Sequence, residues 1–198
     1  MAKEAENTGG RRWSGWRIAG WSVAALLLLL PLVAMQFTDE VNWTGSDFIF
    51  AGVLIGGVGA TFELTVRMSR NHAYRAAVGI ALAATFLTIW VNGAVGMIGS
   101  EANPYNLLFG GVLFIALIGA IVARFEPAGM ARAMVAAAIA QVAVGAFGLS
   151  TDVRGAVLSM AFAAPWLLAA ALFRKAAQEQ ASGHDTAARG SIRRIGGF

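Results

Sequence analysis

The polar residues that could do chemistry in this mostly apolar chain are Glu63, Arg67, Asn92, Glu101, Asn103, Asn106 and Gln141. Glu63 is the only acid inside a long apolar run. A charge at mid-bilayer costs roughly 2.5–3.5 kcal/mol, so an intramembrane carboxylate is a candidate ion or proton site. Counted from Asp47, however, Glu63 lies about 24 Å along a helix, near the far interface. Arg67 follows one turn later, in the order that favours a Glu-to-Arg pair. The spacing therefore predicts an interfacial salt bridge first and an ion site second.

The densest polar cluster is Trp90, Asn92, Ser100, Glu101, Asn103, Tyr105 and Asn106. Glu101 and the asparagines carry hard oxygen ligands of the kind a cation takes. The same residue types also build a capped turn. Gly99 would end one helix in the left-handed conformation, Asn103 would cap the next, and Pro104 would take its first position. Asn92, about 27 Å along its helix from Tyr74, sits at that end of the membrane. Gln141 lies about 17 Å into its own segment, near mid-membrane, where an amide is suited to interhelical hydrogen bonding. Pro165 predicts a kink in the last segment.

Other chemistries lack their residues. There is no cysteine, so thiolate metal sites and cysteine nucleophiles are excluded. The histidines, His72 and His184, both fall outside the apolar runs, which leaves no pair of axial haem ligands and no HExxH motif. The lysines, Lys3 and Lys175, are equally peripheral. Ser159 and Thr88 have no neighbouring base in sequence, and no phosphate-binding G-x-x-x-x-G-K-S/T occurs. The sequence reads as a non-enzyme, with no catalytic residue, no metal and no cofactor assigned.

The elements that must position these residues are membrane helices. Hydrophobic residues make up 58% of the chain and charged ones 13%. Soluble domains carry roughly 25% charged residues, and a chain this short could not bury so much apolar surface in water. Six apolar runs of near-spanning length follow one another: 18–37, 48–66, 74–98, 107–123, 130–149 and 153–173. They are continuous rather than alternating, which selects helices over a barrel. The predicted fold is all-α, a six-span transmembrane bundle over residues 16–175. A polar amino tail (1–15) precedes it, and a polar carboxyl tail (176–198), partly helical and then disordered, follows. A cleaved signal peptide competes for the first run, but that run is long for one and no clear A-x-A site follows.

Charge sets the orientation. Of the 15 Lys and Arg residues, all but Arg154 fall in or beside the two tails or the second and fourth connections. Asp39, Glu40, Asp47, Glu101 and Asp152 fall in or beside the others. The positive-inside rule then places both termini in the cytoplasm. The same distribution explains the net charge of +4 without nucleic acid. Arg67 to Arg75 and Arg124 to Arg132 share a spacing and are each followed by Ala-x-Val, a possible repeat. Recurrence of arginine at helix ends accounts for it equally well. Gly52 and Gly56 form a G-x-x-x-G, and Gly93, Gly96 and Gly99 recur every third residue, as close helix packing favours.

The run Trp90-x-Asn92-x-Ala94-Val95-Gly96-x-Ile98-Gly99-Ser100-Glu101-x-Asn103-Pro104-x-Asn106 resembles a signature of an uncharacterised family of small bacterial multi-span membrane proteins. The likeness covers roughly residues 45–175 and extends to the Arg124–Arg132 segment. Gly93 stands where a bulkier apolar residue is usual and Ala102 where an acid is usual, which weakens an acidic cation site. The resemblance implies topology and a bacterial inner membrane, and it brings no activity with it. The leading expectation is a non-catalytic accessory or interaction subunit, embedded in lipid and associated with itself or a larger membrane complex. The alternatives are a small transporter or channel-like protein using Glu63, Asn92 and Gln141, and a lipid- or quinone-binding protein using its tryptophan-rich edges.

Overall fold

A computed structural model describes residues 15–195, with the side chains of Trp16 and of residues 184–195 outside the description. The amino tail, His184 and the basic residues beyond it therefore lie outside the described side chains. Among the described residues every regular element is helical, without a strand. Six helical segments are long and apolar enough to cross a membrane: Arg17–Ala34, Gly45–Met68, His72–Ala94, Pro104–Val122, Pro127–Ser150 and Val153–Gly183. The chain is a multi-pass α-helical membrane protein.

Residues 15–60 form one unit and residues from 61 onward another. The first holds α1 (Gly15–Ala34) and the start of α2 (Gly45–Met68). Thr44 and Asp47 form a capping box at the entry to α2. The Asp47 carboxylate accepts from the Thr44 backbone N–H at 2.7 Å and from its hydroxyl at 2.7 Å. The Trp21 ring packs over Gly59, where a Cβ would sit 3.2 Å from the indole.

The second unit is built around α5 (Pro127–Phe147), which packs against α4 (Leu108–Val122), α6 (Val153–Ala161) and α7 (Ala163–Ile195). The remaining helix, α3 (His72–Ala94), packs mainly on α7. Small residues let these helices approach. At Gly119 a Cβ would lie 2.6 Å from that of Ala133, so α4 and α5 meet there with no side chain between them. Ala131, Met134, Ala137, Ala138 and Gln141 form the buried stripe of α5, and Trp166, Phe109 and Phe173 fill the space around it. Bulky side chains such as Phe114, Leu117, Leu158 and Leu167 face outward instead. With lipid as solvent, this inversion carries no penalty.

The third span ends earlier than the sequence predicts, and the last shows the break expected from Pro165. The third span ends at Ala94 rather than Ile98, because Gly96 (φ +74°) turns the chain out of the helix before Gly99 does. The last span is two helices, broken at Phe162. Pro165 has no N–H to give the carbonyl of Ala161, and Phe162 N–H bonds Ser159 O in a tighter turn. Beyond the membrane, α7 continues as helix to Ile195, where the sequence suggests partial disorder.

The two arginine-bearing connections are not alike. Asn71 caps α3, accepting from Tyr74 N–H at 2.8 Å. The 123–126 turn instead carries Arg124 and Phe125 in the left-handed region, at φ 50° and 61°. The Tyr74 hydroxyl holds that turn by donating to Phe125 O at 2.9 Å. Their equal spacing therefore reflects helix ends rather than a repeated turn.

Candidate functional site

The predicted polar cluster gathers where α3, the 96–106 loop, a short 3-10 helix (Pro104–Leu107) and α6 meet. Asn106 is its hub, only 4% exposed. Its Oδ1 accepts from Met97 N–H at 3.1 Å and Ile98 N–H at 2.9 Å. Its Nδ2 donates to Ser100 O at 2.7 Å and Ile98 O at 3.3 Å. One amide thus bonds four backbone groups of the loop, sharing the Ile98 and Ser100 carbonyls with Asn103.

Neighbouring residues extend the network. Asn92 Nδ2 donates to Asn106 O at 2.8 Å, and Asn103 Nδ2 donates to Ile98 O at 3.1 Å. Asn103 Oδ1 caps the 3-10 helix through Tyr105 N–H at 3.1 Å, with Pro104 next to it. Gly96 permits the fold of the loop. Its φ is left-handed, and a Cβ there would lie 2.5 Å from the Ser100 carbonyl.

Two residues that sequence reasoning passed over tie the loop to the rest. Asp152 Oδ2 accepts from Gly99 N–H at 3.0 Å, while its Oδ1 caps α6 through Gly155 N–H at 3.0 Å. These bonds, Gly155 first and Gly99 second, hold its carboxyl below the ordinary carboxylate range, with Arg154 adding to them. An aspartate immediately before an apolar helix is an N-cap signal that could have marked it. Ser159 is buried and donates to Met97 O at 3.0 Å. Gln141, fully buried, donates to Ser159 O at 2.9 Å. The chain from Gln141 through Ser159 and Met97 to Asn106 is continuous, but backbone carbonyls and amides occupy it.

Beside this network lies a groove of about 560 Å³ between α3 and α4. Asn92, Glu101, Asn103 and Asn106 border it; Glu63 and Gln141 do not. Gly93 and Gly110 stand on its two walls, and a Cβ at either would meet nothing within 4 Å. Thr88 also lines it. Thr85, one turn earlier, bonds its hydroxyl back to Ala81 O at 2.9 Å. The Thr88 hydroxyl is buried and has no hydrogen-bond partner, as do Gln141 Oε1 and the Trp166 indole N–H.

Glu63 sits apart, in an i,i+4 ion pair and hydrogen bond with Arg67 on α2. The residues predicted to mark a route thus occupy separate places: an ion pair on α2, a buried brace between α5 and α6, and a groove between α3 and α4. Among the described residues, no group of three or more His, Cys, Asp and Glu could hold a metal. In residues 15–60 no neighbour fills the space a Cβ would take at Gly52, Gly56 or Gly57.

The fold and this site define a multi-pass helical protein with a hydrogen-bonded loop beside an open groove. Comparisons with protein-family models, curated proteins and solved structures return no match for this chain.

Proposed function

We propose that this chain is a non-catalytic integral membrane interaction subunit, and that the α3–α4 groove receives an apolar transmembrane helix of another polypeptide. The observation that carries this reading is the unfilled space at Gly93 and Gly110 beside a buried, unpartnered Thr88 hydroxyl. Small residues that admit a backbone and a hydroxyl that can bond it are the ingredients of helix association in lipid. The partner helix would bring its own small-residue stripe, and its docking would have to shift the side chains that cover Thr88 before a carbonyl could reach that hydroxyl. The transporter reading has less support, because Asn92, Asn103 and Asn106 beside the groove are engaged in holding the loop.

The orientation belongs to the same proposal. The arginine-rich connections and both termini face the cytoplasm, and the 96–106 loop faces the opposite side, as the basic residues favour. A bacterial inner membrane is the corresponding location, and the resemblance to small bacterial multi-span proteins adds topology alone.

A photo-crosslinking residue at Leu113, which lines the groove, tests the reading in native membranes. A single polypeptide adduct, lost on Gly93→Trp and kept on Val142→Trp at an exposed site on α5, is the expected result. Adducts to lipid alone, or a polypeptide adduct that survives Gly93→Trp, would overturn it.

A further inference from the structure

At the opposite end of residues 61–195, α5 and α7 leave a second groove of about 730 Å³. Its two charged residues are Arg132 on α5 and Arg174 on α7. Both are exposed, and neither has an ion pair among the described residues. The nearest acid on α7, Glu179, is engaged elsewhere. It accepts from Asn71 Nδ2 at 2.8 Å and pairs with Lys175 at 4.0 Å. Gln178, one turn beyond Arg174, adds an amide to the same rim.

The floor of the groove is apolar. Ala131, Val135 and Ile139 continue from Arg132 into the spanning part of α5. From Arg132 to Ile139 the groove descends about 10 Å, at 1.5 Å per residue. Two guanidinium groups near the start of the span, beside two helical turns of aliphatic wall, match the two halves of one class of molecule. The guanidinium forks suit a phosphate, and the wall suits an acyl chain.

We infer that this groove is a binding site for an anionic glycerophospholipid, its phosphate between Arg132 and Arg174 and one acyl chain along Val135 and Ile139. The inference concerns a different site from the α3–α4 groove and stands whether or not that groove takes a partner helix. Free phosphate would share the arginine chemistry but would leave the aliphatic wall unused. The wall therefore favours the lipid.

The test is native mass spectrometry of the delipidated protein in mild detergent, titrated with phosphatidylglycerol, phosphatidylcholine or inorganic phosphate. One phosphatidylglycerol should be retained in preference to phosphatidylcholine, and Arg132→Gln with Arg174→Gln should weaken its retention about tenfold or more. Arg70→Gln with Arg124→Gln removes the same charge from the same end outside the groove, and should leave retention unchanged. Ile139→Trp, which blocks the wall, should weaken phosphatidylglycerol while leaving the arginines free. Equal retention of the two lipids, or an equal loss in both double variants, would reduce the effect to bulk charge and overturn the site. Inorganic phosphate competing as well as the lipid, with Ile139→Trp silent, would overturn the lipid assignment.

Discussion

At one end of residues 61–195, Asn106, Asn92 and Asn103 pair the carbonyls and amides of the 96–106 loop with short neutral side chains. At the other end Arg75 reaches across the α2–α3 connection with a long charged one. It donates from Nε to Ser69 O at 2.6 Å and from Nη2 to Val66 O at 2.6 Å. Both ends solve the same problem, since a connection between membrane helices leaves backbone groups without helical partners. The chemistries differ because the surroundings differ. A guanidinium can satisfy carbonyls where phosphates and water remain at hand to solvate its charge. The stretch around buried Met97, Ile98 and Asn106 cannot house a charge cheaply, and an amide brings both donor and acceptor without one, whereas the Asp152 carboxylate serves the exposed Gly99 N–H. The amide end is consequently the more specified and the less tolerant of change.

That contrast breaks most readily at Asn106. Asn106→Ala leaves Ile98 N–H without its partner and Met97 N–H with only Asn92 Oδ1 at 3.4 Å, while Asn103 still serves the Ile98 and Ser100 carbonyls; each buried orphan costs about 1–3 kcal/mol. A loss of about 2–3 kcal/mol is expected, read as a lowered unfolding midpoint in detergent. Asn106→Asp keeps the acceptor for Met97 and Ile98 but faces the Ser100 and Ile98 carbonyls with lone pairs, so it should not rescue. A midpoint unchanged in Asn106→Ala would mean that the loop does not depend on its hub. Gly96→Ala should do comparable harm. The left-handed conformation alone costs about 1–2 kcal/mol. The added methyl also overlaps the Ser100 carbonyl at 2.5 Å, which is backbone and cannot swing aside.

The other end should yield less. Arg75→Gln exposes the Ser69 and Val66 carbonyls to water and headgroups, for about 1 kcal/mol in the same melt. Arg75→Lys should recover only part of this, since an ammonium lacks the planar fork that reaches both carbonyls. If Arg75→Gln proves as damaging as Asn106→Ala, the contrast between the two ends fails.

Acid sharpens it differently. The Asp152 carboxyl is held below its ordinary range by the Gly155 and Gly99 N–H groups. A depressed native pKa means that the stabilisation is fully present above the unfolded value, about 3.9. It is lost as pH falls through the lower native value. The melting midpoint of the wild type should therefore fall below about pH 4 more steeply than that of Asp152→Asn, which has no charge to lose. Parallel pH profiles would show that Asp152 does not couple the loop to α6.

Much of this was legible in the residues. Hydropathy and arginine placement gave the six spans, and Asn103-Pro104 announced a capped start that the structure has. Glu63 and Arg67 pair as their spacing predicts. What stayed hidden depends on contacts between distant segments. Asn106 looks like one more loop amide until Met97 and Ile98 fold over it. Asp152 reads as a surface charge until Gly99, 53 residues away, comes to it. The end of α3 at Gly96 rather than Gly99 was equally obscure, because the sequence offers three glycines at equal spacing and only the closed loop selects among them. The groove between α3 and α4 is an absence of side chains at Gly93 and Gly110, and periodicity does not register an absence.

The smallest expected effect bears most directly on that groove. Thr88→Val replaces a buried hydroxyl that bonds nothing in the chain with a methyl of nearly the same size. Removing an unpaired polar group should leave the stability of the isolated protein unchanged, or raise it by about 1 kcal/mol. If a partner helix supplies the missing carbonyl, the same substitution should weaken association several-fold, about 1 kcal/mol for one lost hydrogen bond. Association should thus fall while stability holds or rises, which a purely structural threonine would not produce. The comparison needs only a melt of the purified variant and a Leu113 crosslinking yield in native membranes. A variant that melts lower and crosslinks as well as the wild type would return Thr88 to the packing of α3 and remove the hydroxyl from the docking face.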